Sequence, residues 1–375
     1  MSVRLYGRAF GEGSHVQVTR GIRGALGARV VGFVALDDQS GNEDEAQPPG
    51  ATALAAVFTG RLDNTGVMMR NARHEQRYAV VAPNSNRLPE RLLAAMCSTC
   101  TVLLAPSEWA RGVIESELTR VLAHAPTGTP RPRTLTCNHG VDAAFQRIPN
   151  RRDRAVREFG DGRFRVLHLS TSDRQRKSTQ QLVEAWIALT DKKGLPRGAS
   201  LTLVLDPEAL TRFRAWLIDD EISLPPSVIA AGRVGADPKR MAEGFSEYHL
   251  ICQPSRGEAF GLTPLEARAC GVPVLMTACT GHSAHAPPAP HNLRPGAAYI
   301  SRGCVVVAHG ADAPIDDLPD AFAPAVTAES IADGLLASVE NWEALNEEAG
   351  IYAADVRDEW SWARQTQPLL TDLDK

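Results

Sequence analysis

Residues 254–274 read PSRGEAFGLTPLEARACGVPV, and this stretch decides the architecture. The β-branched and apolar run His249–Gln253 precedes it, and a second run, Val272–Met276, closes it. Strand, glycine-containing loop, helix and strand in that order make one βαβ unit. The helix is predicted to open at Thr263, with Pro264 in its first turn, where a missing N–H does no harm. Thr263 and Glu266 have the spacing of a capping box. The N–H groups of Gly261, Leu262 and Thr263 would point out of the carboxyl edge of a parallel sheet, where helix N-termini bind anions. Gly261 permits close backbone approach, so a phosphate cradle is expected here. Alternatively, Glu266 caps its own helix and Gly257 and Gly261 only turn the chain. That plainer reading leaves over the second carboxylate, Glu258, eight positions before Glu266.

Outward from this window the same alternation continues. Arg165–Leu169, Ser200–Leu205, Ser227–Ala231 and Cys304–Ala308 are expected strands, with helices near Gln180–Leu189 and Glu208–Ile218 and a helical tail over Thr327–Asp355. In the first half, Ala28–Leu36, Ala53–Thr59, Tyr78–Ala82, Thr101–Ala105 and Thr134–Asn138 read as strands, with helices at Val16–Leu26 and Arg87–Cys97. The polar stretch Asn150–Arg163 separates the halves, and its Arg151, Arg152, Arg154 and Arg157 read as a solvated helix start in a linker. The expectation is α/β, with mostly parallel sheets covered by helices on both faces.

A length of 375 residues suits two such domains. A net charge of −4 supplies no global basic field for nucleic acid or anionic membrane. The seven cysteines form no disulfide framework and point to a reducing compartment. Cys97 and Cys100 are spaced C-x-x-C without a second ligand pair or a redox setting, so they read as small buried residues at a helix end. No secretory leader opens the sequence and no apolar run approaches a membrane span, which predicts a cytoplasmic protein. His282 and His285 stand three apart with no third ligand, so no metal is expected. Asp372-Leu373-Asp374 has D-x-D spacing but reads as a frayed tail.

Glu258, Gly261-Leu262, Glu266 and the Ala-Cys-Gly-Val-Pro-Val run together resemble the E-x7-E element of retaining GT-B glycosyltransferases, in particular glycosyltransferase family 4. Ala105-Pro106-Ser107-Glu108-Trp109 resembles the family's "PSEW" element, Asn138-His139-Gly140-Val141-Asp142 with Phe145 its "NGVD…F" segment, and Trp360-Ser361-Trp362 its terminal "SW". The resemblance implies a GT-B-type fold of two Rossmann-like domains with a deep interdomain cleft. The boundaries it implies are an acceptor-side domain at 1–150, a donor domain at 151–355, and a tail at 356–375 returning to the first domain.

The resemblance also implies roles. Glu266 would bond the ribose hydroxyls and Glu258 the transferred sugar. The N–H groups of Leu262 and Thr263 would hold the diphosphate or ribose, with Phe260 and Gly261 shaping the sugar pocket. Arg165–Lys177 is similar to the first strand and loop of the donor domain. There Lys177 is the matching diphosphate cation, Arg174 is a second candidate, and Arg176 reads as a solvent-facing charge. Arg233 and Val234 resemble the segment that meets the base. Phe10-Gly11-Glu12-Gly13-Ser14 is similar to the family's first loop, so Gly13 and Ser14 would face the donor phosphates; its G-x-G lacks the remainder of a dinucleotide fingerprint.

The implied reaction is metal-independent transfer of a hexosyl group from a nucleoside diphosphate sugar, with retention and without a bound cofactor. Glu258, Lys177 and Arg174 would stand at the reacting centre. Acceptors compatible with this include a glycan, a glycolipid, a protein or a modified nucleic-acid base. Asn84 and Asn86 stand where an acceptor-side Glu is common. That change and the altered Arg165–Lys177 loop are the features favouring a non-catalytic sugar- or nucleotide-binding module. An epimerase or phosphorylase on the same fold is the other alternative.

Overall fold

The structure is a computed structural model that describes residues 2–8, 14–35, 52–56, 76–170, 175–232, 237–289, 298–307, 309–314 and 321–375. Two compact units emerge, Met1–Asp142 with Trp360–Lys375, and Ala143–Glu359. Each is built on its own sheet with helices between the strands.

In the first unit the strands are β1 (Val3–Gly7), β2 (Val30–Ala35), β3 (Thr52–Ala55), β4 (Arg77–Val80), β5 (Val102–Ala105) and β6 (Arg133–Thr136). They pair in the order β2-β1-β3-β4-β5-β6, all parallel. Among the described residues the helices of this unit are α1 (Ser14–Leu26), α2 (Glu90–Thr99), α3 (Glu108–Leu122), α11 (Trp362–Gln365) and α12 (Gln367–Leu373), numbered in chain order. Leu93 and Met96 of α2 and Ile114 and Leu118 of α3 pack with Leu103 of β5 in one fully buried cluster. Each such side chain contributes about 1.5–3 kcal/mol on burial. Cys97 and Cys100 lie at the end of α2, buried and unbridged, and all seven cysteines are free thiols.

The C-terminal residues are integral to this first unit. Val141 N donates to Trp360 O at 2.7 Å, and Trp362 packs against His139 with ring centroids 5.6 Å apart. Trp362 reaches that place only because two glycines make room: a Cβ on Gly21 would stand 2.0 Å from its ring, and one on Gly140 would stand 2.5 Å from its backbone. The frayed-tail reading of Asp372 fails here. Asp372 is 6% exposed and accepts from Tyr78 Oη at 2.8 Å and from Arg133 Nη2 at 3.0 Å. A carboxylate in α12 that meets a buried phenol and a guanidinium is held, not frayed.

In the second unit the strands are β7 (Arg163–Ser170), β8 (Gly198–Leu205), β9 (Val228–Gly232), β10 (Leu250–Gln253), β11 (Val274–Thr277), β12 (Tyr299–Ser301) and β13 (Cys304–Val307). The order is β12-β13-β11-β10-β7-β8-β9, with only β12 antiparallel. Central strands are buried along their length (β10 and β11 at every residue), whereas edge β9 exposes Ile229. A strand covered on both faces reads as continuous apolar sequence, and Leu-Ile-Cys-Gln and Val-Leu-Met-Thr follow that rule. Over the sheet lie α4 (Arg151–Gly160), α5 (Thr179–Asp191), α6 (Pro207–Asp219), α7 (Pro238–Ser246), α8 (Leu262–Ala269), α9 (Ala328–Glu340) and α10 (Trp342–Glu359). Trp186, Leu203, Ile331, Leu335 and Trp342 form the heart of this core. A small hairpin of β14 (Asp312–Pro314) and β15 (Phe322–Pro324) completes the described strands.

Arg151 corrects the reading of Asn150–Arg163 as a solvated linker. It is 2% exposed, and its guanidinium donates to Gly271 O at 3.0 Å, Asn346 Oδ1 at 2.7 Å and Tyr248 O at 2.9 Å. Burial lowers its pKa to about 10, and the three acceptors on three separate segments are what make a buried guanidinium tolerable. Arg154 also reaches inward, to Ser246 O at 2.6 Å.

Candidate active site

The topology singles out one place in the second unit. After β7 the chain moves outward through β8 and β9, then returns to β10 on the other side of β7 and continues to β11 and β13. Loops leaving the carboxyl ends of β7 and β10 therefore diverge at a topological switch point, where open α/β sheets take their ligands. Lys177 lies in the loop after β7, and Glu258 and Gly261 lie in the loop after β10.

These two loops are tied together by charge. Lys177 Nζ donates to Glu258 Oε1, and Arg176 Nη1 stands 3.2 Å from the same oxygen. Side-chain exposure is 15% for Lys177, 9% for Arg176 and 11% for Glu258, so the cluster is mostly out of water. Arg176 was expected to face solvent; instead Nη1 also donates to Gly257 O at 2.7 Å. Backbone seals the junction, since Arg256 N donates to Arg176 O at 2.7 Å. The turn that aims these side chains inward ends at Ser178, whose φ of 54° is unusual for a residue other than glycine.

Burial alone would push the Glu258 carboxyl up; the charges of Lys177 and then Arg176 outweigh it and hold the carboxyl well below the usual carboxylate range. His282 is buried nearby, and burial lowers its pKa to about 4 against a raising effect of Glu258. It is therefore neutral at neutral pH, and Lys177 and Arg176 are the charges that chiefly oppose Glu258.

Glu258 is also fixed through its backbone. Its N–H donates to Thr280 Oγ1 at 3.0 Å, and its carbonyl accepts from Gly281 N at 2.7 Å. A Cβ on Gly281 would stand 2.3 Å from Ala259 O and 2.4 Å from Glu258 O, so only glycine fits. Behind the loop, His285 Nε2 stands 3.0 Å from Phe260 O, and Arg268 Nη1 donates to His285 O. Burial pushes the His285 imidazole well down, so it is a neutral donor to that carbonyl.

Helix α8 begins two residues earlier than the capping-box reading required. Gly261, at φ 87°, occupies the cap position, and Leu262, Thr263 and Pro264 are the first three helical residues. Thr263 lies inside the helix because the left-handed turn at Gly261 has already ended the loop. The first N–H groups of α8 have no carbonyl one turn back, and Pro264 removes one of them. Glu266, 3% exposed, lies one turn into the same helix.

A third tie joins β7, β10 and α5. His168, fully buried, places Nδ1 2.8 Å from Cys252 O and Nε2 3.0 Å from Thr179 Oγ1, which stands 2.9 Å from Ser170 Oγ. Burial lowers its pKa to about 4, so the ring is neutral at neutral pH and its Nδ1–H donates to the Cys252 carbonyl. The hydroxyls of Ser178 and Ser255, both wholly buried, have no hydrogen-bond partner among the described residues. One lies in each of the two loops that meet at the switch point.

Of the sequence-predicted site residues, Lys177 and Glu258 are brought into contact, and Phe260, Gly261, Leu262, Thr263 and Glu266 follow in the same loop and helix. Ser14 opens α1 of the first unit. Gly13, Arg174, Arg233 and Val234 lie outside the described residues. Among the described residues no group of three His, Cys, Asp or Glu side chains is placed to hold a metal ion, and no helix is long and apolar enough to cross a membrane.

Residues 113–369 match the family described as Family 4 Glycosyltransferase in conflict systems. The chain belongs to that family. Over 165 residues the chain is 30% identical to D-inositol 3-phosphate glycosyltransferase 1 of Catenulispora acidiphila. That match covers 41% of the chain and 37% of the relative, so the chain spans little more than a third of the length of the curated protein it matches. The fold of this family 4 glycosyltransferase is similar to that of Anabaena HepE, solved in complex with UDP-glucose (TM-score 0.65, 13% identity, 100% of this chain and 99% of that one). It is also similar to sucrose-phosphate synthase from Thermosynechococcus elongatus (TM-score 0.63, 16% identity, 100% and 99%). The architecture is thus the two-unit GT-B type, and the family's chemistry is sugar transfer.

Proposed function

We propose that the chain transfers a sugar from a nucleoside diphosphate sugar to an acceptor hydroxyl, with retention of anomeric configuration and without a metal. The observation that carries this reading is the meeting of Lys177, Arg176 and Glu258 at the switch point of the second unit. Loss of a diphosphate leaving group builds negative charge, which preorganised cations and helix N–H dipoles stabilise. Lys177, aided by Arg176, and the N–H groups of Leu262 and Thr263 supply both. Glu266 accepts from the ribose hydroxyls. Glu258, held ionised, accepts from hydroxyls of the sugar, with Phe260 and Gly261 forming its wall. Arg174, Arg233, Val234, Gly13 and Ser14 are assigned to the donor site on their sequence positions alone.

In this reading the second unit binds the donor and the first the acceptor. Retention follows front-face attack, in which the leaving phosphate takes the acceptor proton, so no separate base is needed. HepE was solved with UDP-glucose, which puts uridine diphosphate sugars first among donors to try. The acceptor is a glycan, glycolipid, protein or modified nucleic-acid base bearing a free hydroxyl.

The test is thermal stabilisation by a panel of nucleoside diphosphates and their sugars, repeated with Lys177→Ala and Glu266→Ala. One nucleotide should raise the melting temperature of the parent and of neither variant, and its sugar conjugates are then assayed for transfer. Donor turnover without any acceptor would instead favour an epimerase. A panel in which no nucleotide shifts melting would remove the donor site altogether.

A further inference from the structure

The Lys177–Glu258 contact has a cost for any anionic ligand, and that cost differs between two kinds of diphosphate. Both cations at the switch point already share one carboxylate oxygen: Lys177 Nζ donates to Glu258 Oε1 and Arg176 Nη1 stands 3.2 Å from it. The cluster is mostly buried, and the backbone that carries Glu258 is anchored. Its N–H is held by Thr280 Oγ1 at 3.0 Å and its carbonyl by Gly281 N at 2.7 Å, and Gly281 packs too closely against Ala259 and Glu258 for the loop to slide. A phosphate group that draws on these cations therefore does so beside a carboxylate whose backbone is anchored.

We infer that Glu258 is an internal competitor for the two cations, and that this makes the site favour sugar-bearing diphosphates over bare diphosphate. The inference rests on the donor-site reading above. A fully deprotonated bare diphosphate offers Glu258 only more negative charge and no hydrogen to donate. When Lys177 turns toward the phosphate, the carboxylate loses one of its two cations and gains a repulsive neighbour, in surroundings where both effects are large. A sugar on the second phosphate brings hydroxyl donors to that carboxylate. These replace what the cation gave, because a hydrogen bond to a charged group is worth more than one between neutral groups. After transfer the sugar is gone, the remaining diphosphate faces Glu258 uncompensated, and its release is favoured. The depressed pKa of Glu258 agrees, since the carboxyl stays charged throughout the neutral range.

Inorganic pyrophosphate is the probe, because it carries two phosphates and requires no base contact. Its affinity is measured by calorimetry for the full chain and for Glu258→Gln, Lys177→Met and the double variant, with circular dichroism confirming that each is folded. Glu258→Gln is expected to bind pyrophosphate about tenfold more tightly than the parent, the scale of one close charge pair. Lys177→Met is expected to bind more weakly, and the gain from Glu258→Gln should shrink in its presence. If Lys177→Met weakens binding but Glu258→Gln leaves it equal or weaker, the competition is wrong and the donor site stands. If Lys177→Met binds as the parent does, or none of the four proteins binds pyrophosphate, the donor-site reading falls and takes the competition with it. A second readout uses UDP and UDP-glucose, which separate the two ligand classes. The ratio of their affinities should favour UDP-glucose in the parent and move toward UDP in Glu258→Gln; an unchanged ratio overturns the proposal.

Discussion

His282 occupies the space that a side chain on residue 261 would need. A Cβ built on Gly261 would stand 2.1 Å from His282 Cδ2 and 2.3 Å from Nε2, and its φ of 87° already excludes most other residues. Gly261→Ala should combine left-handed strain with overpacking against a buried ring, a loss of about 3 kcal/mol. His282→Ala in the same chain should return part of it. Denaturant unfolding of the two single variants and the double checks this, and strictly additive losses would contradict the contact.

Arg176 and Lys177 are expected to separate into different phenotypes. Arg176 Nη1 serves both Gly257 O and Glu258, so Arg176→Ala leaves a buried carbonyl and half of a buried charge pair unmet, at a cost of about 3 kcal/mol. Lys177→Ala should cost less stability and more ligand stabilisation. Comparing chemical unfolding midpoints with ligand-induced melting shifts for both variants tests the order.

Arg151→Ala should be among the most damaging changes far from the site. It strands Gly271 O, Tyr248 O and Asn346 Oδ1 together, about 3 kcal/mol by the cost of unmet buried acceptors. Arg151→Lys should recover little, because one ammonium cannot reproduce the planar fork. Urea titration followed by tryptophan fluorescence reads both.

These residues also show where the sequence was legible. The βαβ order around Pro254–Val274, the placement of Glu258 in the loop after β10 and that of Lys177 in the loop after β7 depend on local pattern, and local pattern is what the chain displays. The inward turn of Arg176 depends on a left-handed Ser178, which nothing in Lys-Ser-Thr announces. The helix start was misplaced by the same kind of event, a left-handed Gly261 that ends its loop early. His282 beneath Gly261, Arg151 between three segments and Asp372 against Tyr78, 294 residues away, are long-range contacts. A charge destined for burial carries the same letter as one destined for water.

Acidification should weaken the fold through its buried histidines. His168, His249 and His282 are pushed down to about 4, in each case first by burial. His249 Nδ1 also accepts from Arg165 N at 3.1 Å, a bond that protonation would break. The unfolded chain takes up protons near the ordinary histidine value of about 6.5, and the folded chain does not. The stability these groups contribute is whole above about pH 6.5 and is lost as pH falls toward about 4. Denaturant midpoints between about pH 7.5 and 5 should decline, and less steeply in His168→Asn. A flat profile over that range would show the rings charge freely in the fold.

The seating of Trp360–Lys375 in the first unit bears on how the chain is made. At a synthesis rate of about 5–20 residues per second, the ribosome needs roughly 10–40 seconds to traverse residues 143–359. Throughout that interval the emerging amino-terminal sheet lacks Trp362 between Gly21 and Gly140, and Tyr78 lacks Asp372. The later-made unit holds all of its own strands and is free to complete itself first. The first-translated half is thus the last to be finished, exposed meanwhile to chaperones and proteases along the surface that its final sixteen residues will cover.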